Sequence, residues 1–280
     1  MAIVGTGLIG GSFGLALRNN FPDISIVGFD RAHALDAALR RGAVREGAAD
    51  LGGAVREADL VYVALPIGAT IEALPAIAGA AKASALVTDT GSTKAAICRA
   101  AQNAFGGSTA RFLGGHPMAG KETAGIAQAD ADLLGGARYA LVAAEDDSDA
   151  RVRGFAALLR TLDAEPVWCD AETHDWAVGV VSHLPQLLAV ALARVVADET
   201  DETGLPGTLA GPGLQDMLRL AGSPFGLWRD IVHTNTVNIA RALDRMEQAV
   251  EYLRTRLTSK ELEQEFSAAN EVYRSLKKAE

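Results

Sequence analysis

The chain has 280 residues, of which 49% are apolar and 22% are charged, so it can bury a core and is neither disordered nor of low complexity. Its 26 Lys and Arg residues stand against 35 Asp and Glu residues, which gives a net charge of −9. An acidic surface of this kind argues against nucleic acid or an anionic membrane as a partner.

Residues 1–170 alternate short β-branched runs with Ala- and Leu-rich stretches. This rhythm predicts a parallel sheet covered by helices, and therefore an α/β domain. The predicted strands are 2–4, 24–29, 60–65, 85–88, 111–114, 139–143 and 166–169. The predicted helices between them are 11–19, 34–41, 71–80, 94–104 and 149–162.

Residues 171–280 carry no further strand pattern and are predicted to be helical almost throughout. A long helix over 171–197 is expected to bend at Pro185, and a Gly- and Pro-rich connection follows at 204–213. We therefore predict two domains, 1–170 and 171–280. The apolar stripes of the second domain fit either a self-contained bundle or two interlocked subunits, and its small size favours a dimer.

The cellular setting is predicted from what the sequence lacks. Cys98 and Cys169 are far apart and belong to no metal-binding pattern, as expected in a reducing compartment without a structural metal. The apolar runs are shorter than the ~18 residues that span a bilayer, and the first residues do not form a signal peptide. We expect a soluble, cytoplasmic protein.

Gly5, Gly7 and Gly10 form a G-x-G-x-x-G motif between the first strand and the first helix. Gly5 permits the tight turn, Gly7 lets a pyrophosphate approach the backbone, and Gly10 allows the helix to pack closely on the strand. The helix start, at Leu8 and Ile9, offers free N–H groups to the phosphates. The motif predicts a Rossmann-type dinucleotide site.

Asp30 follows the second strand, about twenty residues after the motif. Its carboxylate would accept hydrogen bonds from the ribose hydroxyls and repel a 2′-phosphate, so NAD is expected rather than NADP, although Arg31 could weaken the discrimination. Pro66 and Thr90, just after two further strands, complete the predicted cofactor contacts. The alternative, a glycine-rich turn without a ligand, is disfavoured because strand, helix and acid are in register.

Two loops that follow strands carry the candidate catalytic groups. His116 stands between glycines and a proline, a setting that packing explains poorly, and imidazole is the usual acceptor of a hydroxyl proton as hydride leaves. Ser92 lies in the other loop, 88–94, where a hydroxyl could equally be a helix N-cap. Lys94 and Lys121 flank the expected site and could attract an anionic substrate or simply be solvated. No residues are grouped as metal ligands.

These segments resemble the prephenate/arogenate dehydrogenases of tyrosine biosynthesis over nearly the whole chain. The most specific of them are HPMAG at 116–120 and SHLP at 182–185, together with the glycine motif, 88–94, 174–175, 216–221 and 227–230. The resemblance implies a Rossmann domain joined to a helical domain that forms a homodimer. It also implies NAD-linked oxidative decarboxylation of prephenate to 4-hydroxyphenylpyruvate, or of arogenate to tyrosine.

The resemblance further implies roles for individual residues. His116 would accept or polarise the hydroxyl proton, Ser92 would hydrogen-bond both His116 and the substrate hydroxyl, and Arg219 would bind the ring carboxylate, for which a planar guanidinium is suited. The other implied substrate contacts are His183, Gln186, Lys121 and Gln215.

Several of these positions leave alternatives open. His183 fits a buried structural histidine as well as a substrate neighbour, and His174-Asp175 is favoured as a helix cap over a catalytic pair. Many family members have an uncharged residue in place of Lys121 and a basic one in place of Gln215. Some have histidine at the position of Gln186.

Two other functions remain as alternatives. A β-hydroxyacid dehydrogenase or imine reductase would place a catalytic group such as lysine on the long helix after the Rossmann domain, but residues 171–197 contain no lysine. A non-catalytic NAD-binding regulator would have no need of His116, Ser92 and Arg219 together.

Overall fold

The computed structural model describes residues 1–121, 123–200 and 204–277. Its N-terminal part is built on an eight-stranded sheet with the order β3-β2-β1-β4-β5-β6-β7-β8. The strands are β1 Ala2–Val4, β2 Val27–Phe29, β3 Glu46–Gly47, β4 Leu60–Val63, β5 Leu86–Asp89, β6 Arg111–Pro117, β7 Arg138–Val142 and β8 Glu165–Cys169. Neighbouring strands are parallel except for the antiparallel pair β6 and β7.

Helices cover both faces of this sheet: α1 Leu8–Asn20, α2 Ala32–Arg41, α3 Leu51–Val55, α4 Ile67–Ala80, α5 Ala95–Phe105 and α6 Ala150–Thr161. Because side chains alternate along a strand, Ile3 belongs to the apolar core on one face while Ala2 and Val4 belong to the core on the other. Strand order reverses beside β1, which places a crevice at the carboxyl ends of β1 and β4.

The main difference from the predicted strands concerns β6. It continues beyond the predicted end at Gly114 to Pro117, because β7 pairs with it antiparallel and places His116 opposite Ala140. His116 therefore lies in a strand end and not in a loop. The short edge strand β3 and helix α3 were not predicted, since two residues such as Glu46–Gly47 show no alternation.

The C-terminal part is helical throughout the residues described. Its helices are α7 Ala171–Val178, α8 Leu184–Thr200, α9 Leu205–Thr208, α10 Pro212–Leu218, α11 Phe225–Thr234, α12 Thr236–Arg254 and α13 Glu261–Lys277. A π-helical turn, Gly179–His183, joins α7 to α8. The predicted bend at Pro185 is taken up by this turn, because proline lacks the N–H that an α-helix needs there.

This helical part exposes much apolar surface. Val181, Val237 and Phe225 are 67%, 81% and 74% exposed, and α13 buries none of its residues. The continuous stretch 171–200 reaches a mean hydropathy of 1.7, so by length and composition alone it could cross a membrane. The expectation that apolar runs are short is wrong here, since α7 and α8 continue through the π-helical turn. Exposed apolar surface of this extent is typical of an interaction surface.

Candidate active site

The glycine-rich loop joins β1 to α1 and leaves room for a ligand at the start of the helix. Gly5 has a φ of +92°, and a Cβ on Gly10 would lie 1.9 Å from the carbonyl oxygen of Gly5, so neither position accepts a side chain. A Cβ on Gly7 would meet nothing within 4 Å, and no side chain caps α1. The first turn, which includes Leu8 and Ile9, therefore presents backbone donors to open space, as a pyrophosphate requires.

Asp30 lies at the end of β2 and faces this loop. Its carboxylate accepts hydrogen bonds from the backbone N–H of Thr6 at 2.7 Å, the Thr6 hydroxyl at 3.1 Å and the N–H of Arg31 at 2.7 Å. A carboxylate has about four lone-pair positions, so Asp30 can still accept from a ribose hydroxyl. The Arg31 side chain is exposed at the start of α2.

The remaining predicted cofactor residues lie along the same edge. Pro66 precedes the first residue of α4, and the Thr90 hydroxyl lies 3.4 Å from the carbonyl oxygen of Val63 at the end of β4. Parallel strands share one carboxyl edge, so the fold brings both positions to the crevice beside the glycine-rich loop. These residues fit a dinucleotide.

A chain of three polar side chains ends at His116. Nδ1 of His116 lies 2.9 Å from Nε2 of His174, and Nδ1 of His174 lies 2.8 Å from Oδ1 of Asp175. A carboxylate only accepts, so Nδ1 of His174 donates to it. With both rings neutral, Nε2 of His174 then accepts from His116, and Nε2 of His116 keeps its lone pair. The hydrogen bonds thus prepare a base at one defined atom.

Burial keeps His116 in its neutral form. Desolvation is the largest cause that lowers the pKa of His116 well below its usual range, and the positive charge of Lys94 acts in the same direction. The imidazole is therefore unprotonated at neutral pH and able to accept a proton. The Asp175 carboxylate, at the far end of the chain, would stabilise the cation that forms.

Asp175 also joins the two parts of the molecule. Its Oδ1 accepts the N–H of Lys94 at 2.6 Å and its Oδ2 accepts the N–H of Ala95 at 2.9 Å, so it caps α5. Helix α7, which carries Asp175, has its own cap in Asp170. The favoured interpretation of His174-Asp175 as a cap is therefore incomplete. Asp175 caps a helix of the other part and also orients His174.

A second carboxylate crosses the same boundary. Oδ2 of Asp230, in α11, accepts the N–H of Gly68 in the first turn of α4 at 3.0 Å. The hydroxyls of Thr93 and Thr234 are 2.7 Å apart and add a further bond between the two parts. The helical part is thus held against the carboxyl edge of the sheet.

Ser92 lies half-buried between β5 and α5. Within the described residues its hydroxyl forms no hydrogen bond, and Nδ1 of His116 bonds to His174 instead. The bond between Ser92 and His116 that the resemblance implied is therefore not seen in the structure. The serine hydroxyl remains available to a ligand.

His183 is buried in the π-helical turn. Its Nδ1 lies 3.1 Å from Nδ2 of Asn235, and its ring packs edge-to-face on Trp228 with the centroids 5.8 Å apart. Burial lowers the pKa of His183 to about 4, so the ring is neutral. Asn235 also donates to the carbonyl oxygen of Asp175 at 2.7 Å, which links His183 to the chain that ends at His116.

Gln186 holds the turn that carries Arg219. Its buried amide donates from Nε2 to the carbonyl oxygen of Leu220 at 2.9 Å. Arg219 begins the 3-10 turn Arg219–Gly222, and both Arg219 and Gln215, in α10, are exposed. The structure therefore gives Gln186 a partner in the backbone and leaves Arg219 at the surface.

The two lysines beside the expected site both have anionic partners. Lys94 is fully buried against Asp89. Lys121 is exposed, with Nζ 3.4 Å from Oδ2 of Asp130 and 3.2 Å from the carbonyl oxygen of Gln128. Asp89 and Asn235 were not predicted from the sequence as site residues; the one signal for Asp89 was its place directly after the predicted strand 85–88.

Two family models together match most of the chain. Residues 13–167 match the family model of the prephenate dehydrogenase nucleotide-binding domain, and residues 170–270 match that of the prephenate dehydrogenase dimerization domain. The chain belongs to the prephenate dehydrogenase family. The predicted α/β fold, with an N-terminal Rossmann-type nucleotide-binding domain and a helical C-terminal dimerisation domain, is confirmed.

Relatives of known activity lie within this family. The chain is 33% identical to a prephenate dehydrogenase of Lactococcus lactis, over 92% of this chain and 71% of the relative. It is 32% identical to a prephenate dehydrogenase of Bacillus subtilis, over 94% of this chain and 71% of the relative. The predicted class of enzyme, a dehydrogenase of the prephenate/arogenate dehydrogenase family, is confirmed.

Solved structures of prephenate and arogenate dehydrogenases have the same fold as this chain. The Aquifex aeolicus prephenate dehydrogenase in complex with hydroxyphenyl propionate and NAD+ is 27% identical, with a TM-score of 0.86 over 100% of this chain and 97% of that one. The Synechocystis arogenate dehydrogenase is also 27% identical, with a TM-score of 0.81 over 99% of this chain and 98% of that one. A 3-hydroxyisobutyrate dehydrogenase of Mycobacterium tuberculosis, 17% identical with a TM-score of 0.57, shares the fold alone.

Proposed function

We propose that this chain catalyses the NAD-dependent oxidative decarboxylation of prephenate to 4-hydroxyphenylpyruvate, of arogenate to tyrosine, or of both. The observation that carries the proposal is the hydrogen-bonded chain from Asp175 through His174 to His116, with bonds of 2.8 and 2.9 Å. It leaves an unprotonated imidazole nitrogen at the carboxyl edge of a sheet that also holds a dinucleotide loop. An alcohol oxidation needs a base and a hydride acceptor at such an edge.

His116 is the proposed proton acceptor. Its Nε2 takes the proton from the ring hydroxyl and returns it to the oxygen as the ring loses CO2 and becomes aromatic. Asp175, acting through His174, stabilises the charge that His116 carries in between. Ser92, whose hydroxyl is not used by a described residue, hydrogen-bonds the same substrate oxygen. Bound NAD would supply the acceptor for the hydride that leaves the carbon bearing this hydroxyl.

The substrate's carboxylates need cationic or polar partners. Arg219 is proposed to bind the ring carboxylate, because its guanidinium forms bidentate pairs. Lys121 lies in an exposed pair with Asp130, and exposed pairs are weak enough to exchange for another carboxylate. Gln215 is proposed as a polar contact at the rim, near Arg219 in sequence.

Two buried residues support this end of the site. His183 is proposed as a neutral wall of the substrate pocket, packed on Trp228. Gln186 is proposed to act mainly through the turn that it holds, because its amide nitrogen is bonded to Leu220. A free amide oxygen still lets Gln186 accept a hydrogen bond from a substrate ammonium group.

The cofactor contacts are proposed as follows. Gly5, Gly7 and Gly10, with the N–H groups of Leu8 and Ile9, would cradle the pyrophosphate. Asp30 would accept from the adenosine ribose, with Arg31 beside it, while Pro66 and Thr90 would line the path toward the nicotinamide. The lack of any atom within 4 Å of a Cβ on Gly7 supports this arrangement.

We also propose how the chain is organised in the cell. Residues 1–170 would form the cofactor domain and 171–280 the substrate-binding and dimerisation domain. The exposed apolar faces of the helical part, such as those of α8 and α13, would be covered by a second copy and not by lipid. A net charge of −9 supports the absence of nucleic-acid and anionic-membrane partners and is compatible with a cytoplasmic enzyme.

The test is a direct assay of the purified full chain. NAD is mixed with prephenate, and separately with arogenate, and NADH is followed by its absorbance. Production of NADH with at least one substrate is the expected result. Binding of NAD without turnover of either would refute the proposal and favour the non-catalytic regulator, whereas turnover of a small β-hydroxyacid alone would favour the other dehydrogenase class.

A further inference from the structure

The side chain of Lys94 points into the protein and not toward the crevice. Lys94 and Asp89 are both 0% exposed and form an ion pair between the end of β5 and the start of α5. Burying two charges is unfavourable unless further hydrogen bonds satisfy them. The remaining bonds of the pair therefore show what it holds in place.

Oδ2 of Asp89 accepts the N–H of Gly91 at 2.7 Å, and the two other bonds reach Gly115, the residue directly before His116. Nζ of Lys94 donates to the carbonyl oxygen of Gly115 at 2.7 Å, and Oδ1 of Asp89 accepts the N–H of Gly115 at 3.1 Å. A Cβ on Gly115 would lie 2.7 Å from the carbonyl oxygen of Asp89, so the strand approaches the pair as closely as glycine permits. Both backbone polar groups of Gly115 are thus fixed.

The same lysine also reaches His116 from the other side. Its backbone N–H donates to Oδ1 of Asp175 at 2.6 Å, and Asp175 orients His174, which bonds to His116. His116 is therefore held through its own backbone neighbour and through its imidazole. Both routes pass through Lys94.

We propose that Lys94 is a positioning residue for His116: paired with Asp89, its buried ammonium fixes the strand end that aims the imidazole, and it does not bind substrate. This rests on the proposed function of His116 as the proton acceptor. It replaces the expectation that Lys94 is a cation open to the substrate. A misplacement of about 1 Å at a catalytic group lowers the rate about a hundredfold. We therefore expect the loss of the Lys94 side chain to lower kcat.

The first variant is Lys94→Met, tested in the full-length enzyme against the matched control Lys82→Met. Lys82 forms a pair of the same kind with Asp59, at 2.6 Å, but it is 32% exposed and lies away from the strand end. We expect kcat to fall about tenfold to a hundredfold in Lys94→Met, with KM for the substrate changed by less than about threefold. The control should retain both constants.

The second variant, Asp89→Asn/Lys94→Met, removes both buried charges and guards against misfolding of the single variant, which leaves Asp89 unpaired. The positive charge of Lys94 is one of the causes that lower the pKa of His116. Loss of Lys94 alone should therefore move the acidic limb of the kcat/KM profile to higher pH. In the double variant this shift should diminish, while kcat stays low because the Gly115 carbonyl still lacks its donor.

The kinetic constants, the pH profile and the melting temperature together show whether Lys94 positions His116, binds substrate or only stabilises the fold. Rates are expressed per NAD-binding site, counted by titration, so that a lost folded fraction is not read as lost catalysis. A large rise in KM with kcat preserved would show that Lys94 binds substrate and would overturn the proposal. A lower melting temperature with an unchanged kcat and pH profile in either variant would make the pair merely structural. Wild-type enzyme inactive with both substrates would instead refute the proposed function.

Discussion

Replacement of Asp175 by asparagine tests whether the carboxylate contributes charge or only geometry to the proposed base. Asp175 accepts from three donors: Lys94 N–H and His174 Nδ1 share Oδ1, and Ala95 N–H bonds to Oδ2. An asparagine has one oxygen and one NH2 group. Its oxygen will face Lys94 and His174, because that orientation satisfies two donors, and its NH2 will face the Ala95 N–H.

The consequences follow from this orientation. Asparagine preserves the tautomer of His174 but removes the negative charge that stabilises protonated His116. We therefore expect kcat to fall about a hundredfold, which is the lower end of the range for general-base catalysis. The unsatisfied N–H of Ala95 should also lower the free energy of unfolding by about 1–3 kcal/mol. Asp175→Ala removes both the orientation and the charge and should cost more activity than Asp175→Asn.

The assay is NADH formation at saturating substrate, with folding checked by circular dichroism and urea unfolding. Asp170→Asn is the matched control, since Asp170 caps α7 by accepting the N–H of Thr173 at 2.8 Å and asparagine caps a helix equally well. Its kcat should equal that of the wild type. A kcat for Asp175→Asn within about twofold of the wild type would refute the assigned role of the carboxylate.

Four further outcomes are expected. His116→Asn should lower kcat about 10²- to 10⁴-fold with little change in KM, and near-normal turnover would mean that another group accepts the proton. Arg219→Gln should raise KM for the substrate about tenfold to a hundredfold, the value of a hydrogen-bonded charge, while an unchanged KM would exclude it from carboxylate binding. Asp30→Ser should narrow the preference for NAD over NADP at least about tenfold in kcat/KM; an unchanged ratio would locate the discrimination elsewhere. The pKa of His183 is lowered from 6.5 to about 4, so between these pH values the unfolded chain binds a proton at this ring and the folded chain does not. The free energy of unfolding, measured with urea, should therefore fall as the pH is lowered from 6.5 to 4. The fall should be smaller in His183→Gln.

The cofactor half of the site could be predicted because its signals are local. Gly5 and Gly10 follow from the backbone geometry of one turn, and Asp30 from its place after the next strand, so spacing alone determines their roles. The structure places Asp30 against this turn through its bonds to Thr6. Strand ends were harder to predict, since β6 is extended to His116 by a partner strand that is distant in sequence.

The catalytic half depends on contacts between segments far apart in the chain. Nothing around Asp175 indicates that it caps α5 and not its own helix, because both uses satisfy the same carboxylate. In the sequence, Lys94 cannot be distinguished from an ordinary exposed lysine. Only the structure shows that it is buried and paired with Asp89. Gln186 has a backbone partner in Leu220, across a connection of many residues. Which side chain or backbone group each of these residues bonds to depends on the tertiary fold. The periodicity of the sequence does not predict it.

The proposed base is divided between the two parts of the chain, with His116 in the sheet and its two supporting side chains on α7. If the chain were divided between β8 and α7, neither fragment would contain the complete relay. On the helical side, the carboxylates of Asp175 and Asp230 accept from the backbone N–H groups of Lys94, Ala95 and Gly68, so these bonds use no side chain of the sheet part. Assembly of the two parts is therefore a condition for chemistry as well as for stability.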